Sequence, residues 1–192
     1  MTPSAAARPH LLGVDDGPFE KYAEEETAPI VGVMMEGADL VEAVAVTRFR
    51  VDGDGVSEFL SDWIEGLRFR PALQGVIFGG ITIAGLAVLD PEALAARLGL
   101  PILIVNRQAP SDAPLRRALH GAGHPERIRL LERAPRPFAI EGGLHLTVAG
   151  TEPAHAVALV GRALRKSDLP EPLRLAHLFA RALVTGESRG RP

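Results

Sequence analysis

The chain contains no cysteine. Disulfides, thiolate metal sites and cysteine nucleophiles are therefore excluded. Aromatic residues are scarce, at 5% of the chain. The core must be built from Ala, Val, Leu and Ile, and a surface of stacked rings for single-stranded nucleic acid is disfavoured. No excess of charge of one sign is present, since the formal net charge is −3. Such a chain has no global basic field to draw in DNA or RNA, so any such contact must come from a local groove. Long apolar runs are also missing. The longest, from Gly75 to Leu89, is Gly-rich and falls short of the ~18 residues that a membrane-spanning helix needs. Residues 1–9 lack the apolar stretch of a signal peptide and read as a disordered tail. The expected location is the cytoplasm, with no membrane partner.

What is present suits one α/β-sized domain over residues 10–192. The chain has 192 residues, of which 46% are hydrophobic, enough for a substantial core. Leu11-Leu12-Gly13-Val14-Asp15-Asp16 reads as an apolar strand that ends on two adjacent carboxylates and turns at Gly17-Pro18. After an acidic loop, Ile30 to Met35 and Leu40 to Val51 flank a Gly37-Ala38-Asp39 turn, which predicts an antiparallel meander. Val56, Phe59, Leu60, Trp63, Ile64 and Leu67 recur at helical spacing, with Asp54 placed to cap that helix. Leu73 to Phe78 and Pro101 to Val105 are continuous apolar runs, as in strands covered on both faces. Between them, Asp90-Pro91 opens a helix and Gly99 closes it. This strand, helix, strand order implies a parallel crossover. Beyond it lie basic helices over 113–121 and 124–133 and a strand at 144–148. A helix capped by Thr151 and a last one from Glu171 to Val184 complete the chain. The layout predicted is ribonuclease H-like: a mixed five-stranded sheet with helices on its faces.

Several polar groups could carry chemistry. Asp15 and Asp16 sit at a strand tip and point to opposite faces. Hard cations prefer such oxygens, and Asp-Gly-Pro is equally good turn chemistry. Asp52 and Asp54 would share a face if their strand continued; a polar turn is the other reading. His177 lies among Leu173, Ala176, Ala180 and Leu183 and reads as a partly buried helix residue or as an acid–base group. Ser188-Arg189-Gly190-Arg191, with Arg174 and Arg181 upstream, could clamp a phosphate through paired guanidinium bonds. The plainer role is complementing a helix C-terminus. Gly79-Gly80 is no phosphate loop, because no Lys-Ser/Thr follows.

The motifs also carry a resemblance. Gly13-Val14-Asp15-Asp16-Gly17-Pro18-Phe19 resembles the first motif of the domain of unknown function numbered ninety-nine, a largely archaeal family similar to endonuclease V. Val51-Asp52-Gly53-Asp54 and the segment from Gly80 to Asp90 are similar to it too. So are Pro170-Glu171-Pro172-Leu173-Arg174-Leu175-Ala176-His177-Leu178 and Gly186-Glu187-Ser188-Arg189-Gly190-Arg191. The resemblance implies a fold of endonuclease V type. It also implies carboxylates on the first strand, near the end of the third and at the end of the fourth, which bind a divalent metal for phosphodiester cleavage. Asp15 matches the first position, and Asp52 or Asp54 the second. The third falls at Gly79, where the family more usually carries Asp. Asp15, Asp52 and Asp54 are thus the candidate catalytic residues, and Asp15, Asp16 and Asp52 the candidate metal ligands. Arg174, Ser188, Arg189 and Arg191 are the candidate contacts to DNA or RNA. With Gly79 in an acidic position, binding of Mg2+ or Mn2+ is expected to be weak or absent. A second reading is a non-catalytic interaction module that keeps the fold without nuclease chemistry.

Overall fold

A computed structural model describes residues 8–19, 26–165 and 168–189. Three strands form the expected meander: β1 (His10–Asp16), β2 (Thr27–Glu36) and β3 (Leu40–Arg50). They are followed by α1 (Val56–Glu65), β4 (Gly75–Phe78), the two-residue strands β5 (Thr82–Ile83) and β6 (Ala87–Val88), α2 (Pro91–Leu98) and β7 (Ile102–Asn106). The rest comprises α3 (Asp112–Gly121), α4 (Ile128–Arg133), β8 (Phe138–Ala139), β9 (His145–Ala149), α5 (Pro153–Ala163) and α6 (Glu171–Thr185). No helix among the described residues is long and apolar enough to cross a membrane.

The main sheet has seven strands in the order β3-β2-β1-β4-β7-β9-β8, not five. β1, β4 and β7 are parallel neighbours, whereas β2 is antiparallel to both β1 and β3. The two additional strands are β9, antiparallel to β7, and β8, antiparallel to β9. β8 pairs through only Phe138 and Ala139, too short a run to show a period of two. β5 and β6 form a separate hairpin.

Alternation along the strands divides the core. Leu12, Val14, Ile30, Phe78 and Ile104 pack with Leu60 and Ile64 of α1 and Leu94 and Leu98 of α2. On the opposite face, Leu11, Ile77 and Leu103 meet Leu159 and Val160 of α5 and Leu173 of α6. Val31, Val33 and Met35 meet Ala176 and Ala180 of α6 there as well. By this alternation Asp15 lies on the α6 face and Asp16 on the α1 face. Gly13 is the contact point of α6 with β1. A Cβ there would overlap the Pro172 carbonyl group and the Leu173 amide, so the close approach of a helix start to a strand requires glycine.

The helix ends follow the sequence in part. Asp90 Oδ1 accepts from the Ala93 amide at 3.1 Å, and Gly99 closes α2 in the left-handed region. α5 has Glu152, not Thr151, at its N-cap, because Pro153 takes the first helical position. Asp54 does not cap α1. The cap position is Gly55, with no side-chain bond, because the Asp54 carboxylate is drawn to Arg127.

Candidate functional site

β1, β4 and β7 end side by side, and the carboxyl ends of parallel strands are where open α/β sheets form clefts. α6 crosses β1 and β2 on one face and closes the wall. The cleft so formed has a volume of about 920 Å³ and is lined by Asp15, Gly79, Asn106, Arg107, Arg174, His177, Arg181 and Arg189, with Leu169, Leu173 and Leu178 as an apolar side.

At its centre Asp15 Oδ2 lies 2.8 Å from His177 Nδ1. His177 is more exposed than an apolar helix neighbourhood suggested, with 57% of its side chain accessible, because α6 overhangs the cleft at this turn. The bond to Asp15 pushes the His177 imidazole above its ordinary pKa, against the opposing effects of burial and Arg181. Asp16 faces the other way. Burial, reinforced by the Asp15 charge, pushes its carboxyl up to about 6, although the Ala84 amide bonds to it.

Asp52 and Asp54 are not brought to the cleft. Asp52 has left-handed backbone, with φ 54. Its Oδ1 accepts from the Leu86 amide at 2.6 Å, and its own amide donates to the Ala84 carbonyl at 2.9 Å. The Asp54 carboxylate is paired with Arg127 at 2.7 Å. Arg127 also donates to the Asp52 and Leu86 carbonyls, at 2.6 and 2.9 Å. This buried guanidinium ties the end of β3 to the β5–β6 hairpin. Asp16 and Asp52 both bond to the backbone of Ala84, between β5 and β6: the first through its carboxyl, the second through its amide.

The C-terminal candidates divide. Arg189 lines the cleft. Arg174 lines it too, but its Nε and Nη2 are held by Glu171 at 2.9 and 2.6 Å. The Ser188 hydroxyl is buried with no hydrogen-bond partner among the described residues. Arg191 lies outside the described residues. Asn106 and Arg107 were not singled out from sequence, yet they directly follow the apolar β7 run, where a cleft residue was to be sought. Arg127 carries no such signal, being one arginine in a basic segment.

Do these residues fit a resident divalent ion? Mg2+ takes oxygen ligands, usually one or two carboxylates with substrate phosphates. Asp15 is the carboxylate at the cleft centre, and it is bonded to His177. Glu187 also lines the cleft, but no third ligating side chain among the described residues completes a close group with them. Asp16 faces away, Asp52 and Asp54 are engaged elsewhere, and Gly79 has no side chain. The described residues therefore do not fit a preformed Mg2+ or Mn2+ site at Asp15. Gly79 is not there for want of space, since an added Cβ would sit 3.6 Å from Leu173 in ordinary contact.

Comparison with known proteins gives the family and the fold. The family model described as endonuclease dU matches residues 8–184. The chain belongs to the endonuclease dU family. This is the endonuclease V-like family to which the motifs pointed. A UPF0215 protein of Methanothermobacter thermautotrophicus is 36% identical over 184 residues, covering 94% of this chain and 90% of the relative. A crystal structure of an Archaeoglobus fulgidus protein of unknown function aligns with a TM-score of 0.84 at 27% identity, over 93% of this chain and 99% of that one. Ciona intestinalis endonuclease V, solved with a 24mer DNA containing an inosine followed by a ribo-adenosine, aligns with a TM-score of 0.61. At 13% identity, over 93% of this chain and 86% of that one, this second likeness concerns the fold. The family member is thus an α/β protein with a mixed sheet of endonuclease V type.

Proposed function

We propose that this endonuclease dU family member is a nucleic-acid-binding protein that grips a phosphodiester backbone in the cleft between α6 and the ends of β1, β4 and β7. One observation carries the reading. Arg107, Arg181 and Arg189 surround the Asp15–His177 pair, and none has an ion-pair partner among the described residues. Guanidinium groups match phosphate oxygens with paired bonds, and this local groove supplies the positive field that the whole chain lacks. The run β3-β2-β1-β4-β7 supports a ribonuclease H-like reading of the sheet, with β9 and β8 as an addition.

A second reading, hydrolysis, is favoured by the Asp15–His177 bond. Asp15 biases His177 towards its protonated form, a cation for a phosphate and an acid for a departing sugar oxygen. The acidic set stays incomplete, so Mg2+ or Mn2+ would find at most a weak site here, shared with substrate.

Fluorescence anisotropy with labelled single- and double-stranded DNA and RNA tests the proposal, and the family description makes deoxyuridine-containing DNA the first substrate to try. Saturable binding that weakens with salt is expected. An Arg181→Ala, Arg189→Ala double variant should lose at least about tenfold, the equivalent of ~1.4 kcal/mol. Binding that is absent, or unchanged in the double variant, would overturn the reading. Incubation of the same oligonucleotides with Mg2+ or Mn2+ decides between the readings. Cleavage lost in Asp15→Ala would establish hydrolysis, and its absence would leave a binding protein.

A further inference from the structure

The opposite end of β1 carries a second group of ligating side chains. His10 opens β1 and stands in register with Glu36, the last residue of β2. On β3 the pairing passes from Met35↔Val41 to Met34↔Ala43, so Glu42 is left without a partner on β2. An extra residue of this kind re-aims its side chain. Glu42 Oε2 reaches across β2 to within 2.8 Å of His10 Nε2. One ligand atom each from His10, Glu36 and Glu42 lies within 4.8 Å of the other two.

Three adjacent strands supply the group, so the hydrogen-bonded ladder, not a loop, sets its geometry. The His10 amide is also fixed, donating to Gln74 Oε1 at 2.9 Å. Two carboxylates held this close repel one another. Arg8 and Arg165 pair instead with Asp39, in the turn between β2 and β3. Among the described residues Glu42 has only His10 as an ion-pair partner, and Glu36 has none.

We propose that His10, Glu36 and Glu42 bind a divalent transition-metal cation of the Zn2+ type, with water completing its shell. One imidazole nitrogen and two carboxylate oxygens are a donor set that Zn2+ accepts and that Mg2+, an all-oxygen ion, does not favour. His10 and Asp15 are five residues apart on β1, about 17 Å at ~3.3 Å per residue. The site is therefore separate from the cleft, and its ion pins the meander together at the turn between β2 and β3.

Calorimetric titration of Zn2+ into the full chain tests this. The expected result is one saturable equivalent, lost in His10→Ala, weakened at least tenfold in Glu36→Gln and Glu42→Gln, and unchanged in His177→Ala. Circular dichroism establishes that each variant is folded. A Zn2+ excess of about a hundredfold over Kd should also raise the wild-type Tm by about 5 °C or more, reversibly with EDTA. No saturable binding in the wild type would overturn the proposal. So would binding that survives the His10→Ala, Glu42→Gln double variant, or that is lost in His177→Ala. None of these outcomes depends on whether the cleft binds nucleic acid.

Discussion

Replacing Gly79 by Asp should place a second carboxylate beside Asp15 and make the fold respond to Mg2+. Val14 pairs with Phe78 across β1 and β4, so Asp15 and residue 79 continue the same register. Both line the cleft. Neighbouring strands are ~4.8 Å apart, and two like charges near 5 Å repel by about 1–3 kcal/mol as the effective dielectric constant falls from ~80 to ~20. The new Cβ itself meets only the Leu173 methyl groups at 3.6 and 3.7 Å, so the cost is electrostatic and not steric. For a chain of this size about 1 kcal/mol corresponds to ~2–4 °C. Without metal, Gly79→Asp should therefore melt about 2–12 °C below the wild type. Millimolar Mg2+ or Mn2+ should restore most of the loss in the variant and leave the wild type unmoved. Differential scanning fluorimetry with and without EDTA reads both effects. A variant that is destabilised but indifferent to metal would refute the reasoning, because residue 79 and Asp15 would then not share a ligand shell.

Further outcomes follow from the neighbouring residues. Burial raises the Asp16 carboxyl from 3.8 to about 6, so ionised Asp16 works against the fold. Its neutral form is favoured below pH 3.8, and the associated stability is lost as pH rises towards 6. Asp16→Asn should accordingly stabilise the protein by up to about 3 kcal/mol at pH 7 and by little near pH 4, as measured by urea unfolding across that range. Arg127→Ala should cost about 3–5 kcal/mol, since it leaves the Asp52 and Leu86 carbonyls without their donor. Asp54→Ala should cost under about 1 kcal/mol, because 87% of the Asp54 side chain is exposed; paired thermal melts compare the two. Gly13→Ala should cost more than about 3 kcal/mol, because the obstructing atoms are backbone, and chemical denaturation would show it.

The meander, the parallel crossover and the last helix were legible because their apolar residues recur with clear periods and their ends carry Gly, Pro or Asp. β9 was legible too, since Leu144 to Val148 alternates as a strand does, although its place beside β7 was not; β8 had no such signal, because Pro135 and Pro137 leave it only two paired residues. At the site, the opposite facing of Asp15 and Asp16 follows from the strand period alone. The destination of Asp52 does not. Its carboxylate is used by an amide 34 positions away, and its neighbour Asp54 by a guanidinium 73 positions away. Periodicity is a local property and reports nothing of such partners. His177 was placed on the correct helix, but its exposure depends on where α6 overhangs the sheet, which is a tertiary fact.

The Asp15–His177 bond spans 162 positions of sequence. Closing so long a loop costs entropy that grows as (3/2)RT ln n and is recovered only when both ends have docked. During synthesis, β1 emerges early, and its α6 face, with Leu11, Gly13 and Asp15, stays uncovered until nearly all of the described chain has been made. A nascent chain thus carries no cleft. The seating of Pro172 against Gly13 is the late event that lays α6 over the β1 and β2 part of this face and completes the cleft.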